Sequence, residues 1–178
     1  MDDHLEAAMH QPTPLDFWDQ VPQLLARMRS YGVLCTVVDG DTNSNILTLG
    51  WCLVGPTYNG NPIVVVAITP LRYSWEFIEA VPEFVLGIPN DALTDAVDLC
   101  GTCSGRHNDK FIAAQLTPIA SEHVRAPSIL ECPANIECRV YESVHPPHYL
   151  LTPRHREQPI REQHTIYFAE VLGTYSYI

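Results

Sequence analysis

Between Asn45 and Ser74 the sequence sets an apolar run, Pro62-Ile63-Val64-Val65-Val66-Ala67-Ile68, between a small hydroxyl-bearing turn at Thr48-Leu49-Gly50-Trp51 and the triplet Arg72-Tyr73-Ser74. This combination suits an anion. Ser74 is placed to cap a helix over Trp75-Glu76-Phe77-Ile78-Glu79-Ala80, where its hydroxyl and the free N–H groups of the first turn point the same way and can receive a phosphate. Arg72 would add a bidentate, charge-assisted contact that a lysine could not copy. It is the only basic residue between Arg29 and Arg106. The same residues also describe a surface arginine beside an ordinary capping serine, and Glu76 in the first helical turn opposes a bound dianion.

Other groups invite chemistry less specifically. Cys100-x-x-Cys103 has redox spacing, but it falls at the end of a helix, where the dipole has the wrong sign to stabilise a thiolate. With Cys132 and Cys138 it could form a four-thiolate metal site, yet the second pair lacks knuckle spacing, so buried or incidental thiols and no metal are expected. His145-Pro146-Pro147-His148 reads as a solvated loop. His164, before the last strand, reads as a strand-edge residue satisfied by a backbone carbonyl. No Ser-His-Asp or paired-carboxylate arrangement is apparent.

The elements that must position these groups form one domain by size, 178 residues with 46% hydrophobic residues. The formal charge is −11, from 21 acidic against 10 basic residues, with Lys110 the only lysine. Without a basic run a nucleic-acid surface is not expected. No apolar run is long enough to cross a bilayer, and Met1-Asp2-Asp3-His4 has neither the basic nor the apolar part of a signal peptide, so no membrane association and a cytoplasmic location are expected.

Residues 1–14 read as a mobile arm, and 15–178 as the single domain. Phe17, Trp18, Val21, Leu24, Leu25 and Met28 recur at helical spacing up to Gly32, and Pro22 fits a first turn if Asp19 is the cap. Val33–Val38 reads as a strand, and Asp39-Gly40 turns it back into Ile46-Leu47-Thr48. Phe84–Ile88 is a further strand. Asn90 or Asp91 caps a helix ended by Gly101, and a shorter helix spans 108–116. Ile136, Cys138 and Val140 alternate with polar residues, 145–163 forms a mobile loop, and 164–172 is the last strand. Many short strands with helices inserted between hairpins predict a closed antiparallel barrel, and without G-x-G-x-x-G a doubly wound dinucleotide fold lacks its signature.

Several ordered blocks resemble one family: Asn45 through Trp51, Arg72-Tyr73-Ser74, Glu83-Phe84 with Ile88-Pro89, Ser104-Gly105 with Asp109-Lys110-Phe111, Ala126-Pro127, Glu137-Cys138-Arg139, and His164 through Val171. From about Phe17 to Tyr175 the chain is similar to the flavin reductase-like, FMN-binding split β-barrel proteins, which include flavoredoxins. The resemblance implies a mainly β, antiparallel split barrel with inserted helices, a homodimer, and FMN near the interface. It places Thr48, Leu49, Gly50 and Trp51 against the isoalloxazine and ribityl chain, with Arg72, Ser74, Ser104 and Lys110 around the phosphate and Tyr73 also among the cofactor-binding residues. Trp51 and Tyr167 become walls of a ring pocket or plain barrel core. The activity implied is an NAD(P)H-dependent flavin reductase, with NADH or NADPH as co-substrate. An electron carrier of the flavoredoxin kind serving a redox protein, or a flavin-binding module without turnover, fits the same fold. No side chain need act as nucleophile, because the flavin carries the chemistry; His164 is the one weak catalytic candidate. Gly87 stands where many relatives have asparagine, so a polar contact to the cofactor is expected to be missing.

Overall fold

The structure is a computed structural model that describes residues 11–41 and 43–178. The mobile arm expected for residues 1–14 lies largely outside the described residues. Its last two, Thr13–Pro14 (β1), pair with Ser176 and Tyr175.

Helix α1, Phe17–Ser30, starts three residues earlier than an Asp19 cap would place it. The Asp16 carboxylate accepts from the N–H groups of Trp18 and Asp19 and so takes the capping role. Pro22 therefore lies inside the helix rather than in its first turn. Phe17 and Leu24 are the buried residues of its apolar stripe.

Strands β2 (Val33–Val38), β3 (Ser44–Leu49), β4 (Leu53–Pro56), β5 (Pro62–Ile68), β6 (Glu83–Ile88), β9 (Ala134–Val144) and β10 (Thr165–Ser176) form one antiparallel sheet in the order β3-β2-β6-β9-β10-β5-β4. The path ends at β3 and β4, which are not paired with one another, so the sheet is a split barrel and not the closed one expected from strand spacing. Alternate residues of the strands line the interior with Val33, Cys35, Val37, Val64, Val66, Phe84, Leu86, Ile136 and Cys138. Each such side chain contributes about 1.5–3 kcal/mol.

The helices that reach the split matter most. Helix α2, Tyr73–Ala80, follows β5. After β6 a short 3-10 turn, Asp91–Leu93, capped by the Asn90 side chain, leads into α3, Thr94–Thr102. Helix α4, Lys110–Ala113, is capped by Asp109, whose carboxylate accepts from Phe111 and Ile112 N–H. A second apolar cluster of Leu34, Ile46, Val97, Cys100, Phe111, Leu116, Ile129 and Cys132 pins α3 and α4 to the outer face of β2 and β3. A two-stranded ladder of β7 (Pro118–Ile119) and β8 (Ser128–Ile129) follows. The 145–163 loop contains a short helix α5, Pro153–Arg156, and a 3-10 turn, Ile160–Glu162.

Candidate functional site

Two of the clefts beside β3 hold the residues nominated from the sequence. The first, about 140 Å³, lies between the C-terminal end of α3, the loop to α4 and the start of α2. Thr48, Arg72, Tyr73, Ser74, Ser104 and Lys110 all line it. The second, about 130 Å³, is lined by Thr48, Leu49, Gly50, Trp51 and Arg72 together with Ala67 and His164. Thr48 and Arg72 belong to both, so the site residues nominated from the sequence, Tyr167 excepted, line two adjoining clefts.

Their roles differ in detail from the sequence reading. Ser74 is not the cap of α2: the helix begins at Tyr73, and Arg72 holds the N-cap position with no side-chain cap. The Ser74 hydroxyl is buried and accepts from Asn45 Nδ2 at 2.8 Å, a partner 29 residues away that no local window reveals. Asn45 also lies hard against Gly105, where a Cβ would overlap its amide, so Gly105 lets the loop close over β3. Gly101 makes a similar close approach: a Cβ would sit 3.2 Å from Thr48 Cβ. The Thr48 hydroxyl donates to the Val97 carbonyl, which ties the cleft-side strand to α3.

Lys110 is buried, and its ammonium donates to the carbonyls of Ile46 and Cys100, both at 2.8 Å. Two of its three protons are thereby engaged, and the third remains for an anion. Burial holds its pKa below the ordinary lysine value; the Cys100 thiol opposes that shift and the Arg72 guanidinium adds to it. Arg72 is exposed and makes one long bond, 3.3 Å, to the Gly101 carbonyl. Both cations therefore rest on carbonyls at the C-terminal end of α3, where the helix dipole is negative. Ser104 is exposed beside them, and the Tyr73 and Ser74 N–H groups open α2 without partners earlier in that helix.

Arg106, which the sequence reading left out, also lines this cleft. Its guanidinium pairs with Glu76 and lies 4.8 Å from the Tyr73 ring centroid. Glu76 is thereby engaged by a cation at the helix start it was expected to spoil. The available signal was position: Arg106 directly follows Ser104-Gly105.

At the second cleft Trp51 is 45% exposed, whereas Tyr167 is 2% exposed inside the barrel and donates its hydroxyl to Glu79 at 2.7 Å. Tyr167 is core and not a cleft wall. His164 lines the cleft through its exposed side chain, while its carbonyl accepts from His148 Nε2 at 2.6 Å. Burial, with Arg72 and His148 adding to it, lowers the His164 pKa and favours neutral imidazole. At Gly87 a Cβ would meet Cys132 Sγ at 2.8 Å, and the Asn135 amide lies beside it. No group of three or more His, Cys, Asp or Glu side chains suited to a metal occurs among the described residues.

The comparisons with known proteins agree with this architecture. Residues 25–176 match the family model described as a flavin reductase like domain. An uncharacterised protein of Archaeoglobus fulgidus is 37% identical over 108 residues, a match covering 61% of this chain and 60% of the relative, so the chain spans about three fifths of that relative's length. Flavoredoxin of Desulfovibrio vulgaris (Miyazaki F) superposes with a TM-score of 0.65 at 24% identity, covering 94% of this chain and 71% of that one. A protein with a split barrel domain from Shewanella frigidimarina gives 0.66 at 16% identity, covering 99% and 78%. At those identities the two structures speak for the fold.

Proposed function

The chain belongs to the flavin reductase-like family, and on that premise we propose that it binds FMN and acts as an NAD(P)H-dependent flavin oxidoreductase. The observation that carries the reading is the junction of the two clefts at Thr48 and Arg72: one is lined by cations and hydroxyls, the other by strand backbone and an exposed indole.

The donor set fits a phosphomonoester. Arg72 has N–H groups beyond its single bond to Gly101, Lys110 keeps one proton, and Ser104 adds a hydroxyl. Arg106 and the opening turn of α2 add positive potential at the same mouth. The segment Leu49-Gly50-Trp51 would orient a planar ring with its main chain, and Gly50, with open space around its Cα, lets that ring approach the backbone. His164, held neutral, can donate or accept a hydrogen bond at that edge without adding charge. When bound, FMN supplies hydride and electron transfer, and the residues named here bind it, orient it and set the local field.

We further propose a homodimer, supported by Trp51, Leu53 and Leu71, exposed apolar side chains around the groove. A cytoplasmic location is also proposed; no helix among the described residues is long and apolar enough to cross a membrane.

The test is anaerobic. Protein reconstituted with FMN is mixed with NADH or NADPH, and the oxidised flavin band is followed. Bleaching within seconds by either nucleotide supports the reductase. Bleaching only by dithionite or a reduced redox protein rejects it in favour of an electron carrier, and failure to take up FMN rejects both.

A further inference from the structure

The first cleft also holds two thiols to which flavin binding gives no role. Cys103 is exposed at the C-cap of α3, and Cys100 is buried one turn earlier; both line the cleft with Arg72, Ser104 and Lys110. The other four cysteines, Cys35, Cys52, Cys132 and Cys138, are buried free thiols. Residues through Thr102 are helical and Cys103 N–H donates to the Leu99 carbonyl at 2.9 Å, so the Cys103 Cα keeps its helical place. Helix geometry then sets the Cys100 and Cys103 Cα atoms about 5 Å apart. That lies within the range of roughly 4.4–6.8 Å that a disulfide spans.

The dipole objection raised from sequence weakens once the cations are placed. The carbonyl ends that would repel a thiolate are those of Cys100 and Gly101, and these carry the Lys110 ammonium and the Arg72 guanidinium. The same two charges draw small anions to the mouth where Cys103 is exposed. Cys100 is unsuited to first attack: burial pushes its thiol up to about 11, with Lys110 opposing the shift.

We propose that Cys103 and Cys100 form a dithiol–disulfide pair built into the anion cleft, in which Cys103 meets small anionic disulfides and Cys100 resolves the product. The Cys103 thiolate attacks one sulfur of the incoming disulfide, forming a mixed disulfide and expelling one thiolate. The Cys100 sulfur then attacks Cys103 Sγ, closing the internal disulfide, expelling the second thiolate and releasing its proton to solvent. Two protein thiols are oxidised and one small disulfide is reduced to two thiols. Closure draws Cys103 toward Cys100 and pulls on Ser104 and Gly105, which lies so close to Asn45 that a Cβ would overlap its amide. Disulfide closure and anion binding therefore oppose one another.

The test uses the reduced, native full chain and 5,5′-dithiobis(2-nitrobenzoate), a doubly anionic disulfide, and needs no flavin. Wild type is expected to release two equivalents of thiolate per chain and to end two hydrogens lighter with no adduct by intact mass. Cys100→Ser should release one equivalent and keep the adduct on Cys103; Cys103→Ser should release none on that timescale. Inorganic phosphate replacing chloride at equal ionic strength should slow the first step several-fold. A wild type that stops at one equivalent with a stable adduct, an unslowed rate in phosphate, or undiminished reactivity of Cys103→Ser would each overturn the proposal. The stoichiometry and mass are read on wild type, so a poorly folding variant does not blunt the result. FMN uptake is scored separately: the pair can fail while FMN binds, and FMN can fail to bind while the pair closes.

Discussion

Replacing Arg72 by alanine separates ligand binding from folding more cleanly than any other change in the groove. The side chain is exposed and its recorded bond is a 3.3 Å contact to the Gly101 carbonyl, so the cost to the fold should stay within about 0.5 kcal/mol. A charge-assisted hydrogen bond to phosphate is worth roughly 1.5–3 kcal/mol. FMN affinity should therefore fall about ten- to a hundredfold. Riboflavin has no phosphate, and its affinity should change by less than about threefold, on the ordinary scale of surface substitutions. Arg72→Lys should recover only part of the loss, because an ammonium cannot make the forked contact. Lys110→Met is the contrasting case: it strips the buried Ile46 and Cys100 carbonyls of their donor, at about 1–3 kcal/mol for each acceptor left unmade, and should lower the melting temperature as well as the affinity. The assay is flavin fluorescence titration of each variant with FMN and with riboflavin at fixed ionic strength, beside a thermal melt. Equal losses for the two flavins in Arg72→Ala, or a melt lowered as far as that of Lys110→Met, would refute the assignment.

Three further outcomes follow from the same geometry. FMN affinity should decline as pH rises through the Lys110 pKa, which burial holds below the ordinary lysine value; the charge present below that pKa is lost above it, and in Arg72→Ala, relieved of the neighbouring guanidinium, the decline should move to higher pH in a titration series. Gly105→Ala places a methyl into the Asn45 amide, so FMN binding by titration should be largely lost while far-UV dichroism stays near wild type; unchanged affinity would show that the loop has room. Tyr167→Phe removes a hydroxyl bonded to Glu79 and should cost about 1 kcal/mol in urea unfolding with FMN affinity unchanged, whereas a clear affinity loss would return Tyr167 to the ligand site.

Much of the site was legible because it is built from contiguous pieces. Strand β3 with its following turn, and the Arg72-Tyr73-Ser74 triplet at a strand–helix boundary, are short-range signals, and their composition already points to an anion. What escaped the sequence is set by partners far along the chain. Ser74 looks like a cap until Asn45, across the barrel split, takes its hydroxyl. Lys110 is legible in sequence only as the chain's single lysine, and nothing local shows that carbonyls of β3 and α3 draw its ammonium inward. Tyr167 lies within a strand whose alternate residues face inward, and the pleat of β10 turns it into the core, while Trp51, just past the end of β3, stays exposed. Strand count and spacing do not say whether the two end strands meet, so they suggest a closed barrel, whereas the family resemblance implies the split barrel that the structure has.

Those two end strands carry a consequence for how the protein keeps to itself. An unpaired sheet edge is a template on which another chain can grow, the first step toward fibrillar aggregation. β4 blunts its edge by being four residues long and ending at Pro56, which pairs with Pro62 and offers no N–H there. On β3 the Ile46 carbonyl is occupied by the Lys110 ammonium, a charge set against the strand where a neighbouring chain would otherwise add its own N–H groups. The lysine that serves the groove thus also guards the split from being zipped shut by a stranger, and Lys110→Met should be the variant of this barrel most prone to form thioflavin-positive aggregates on storage.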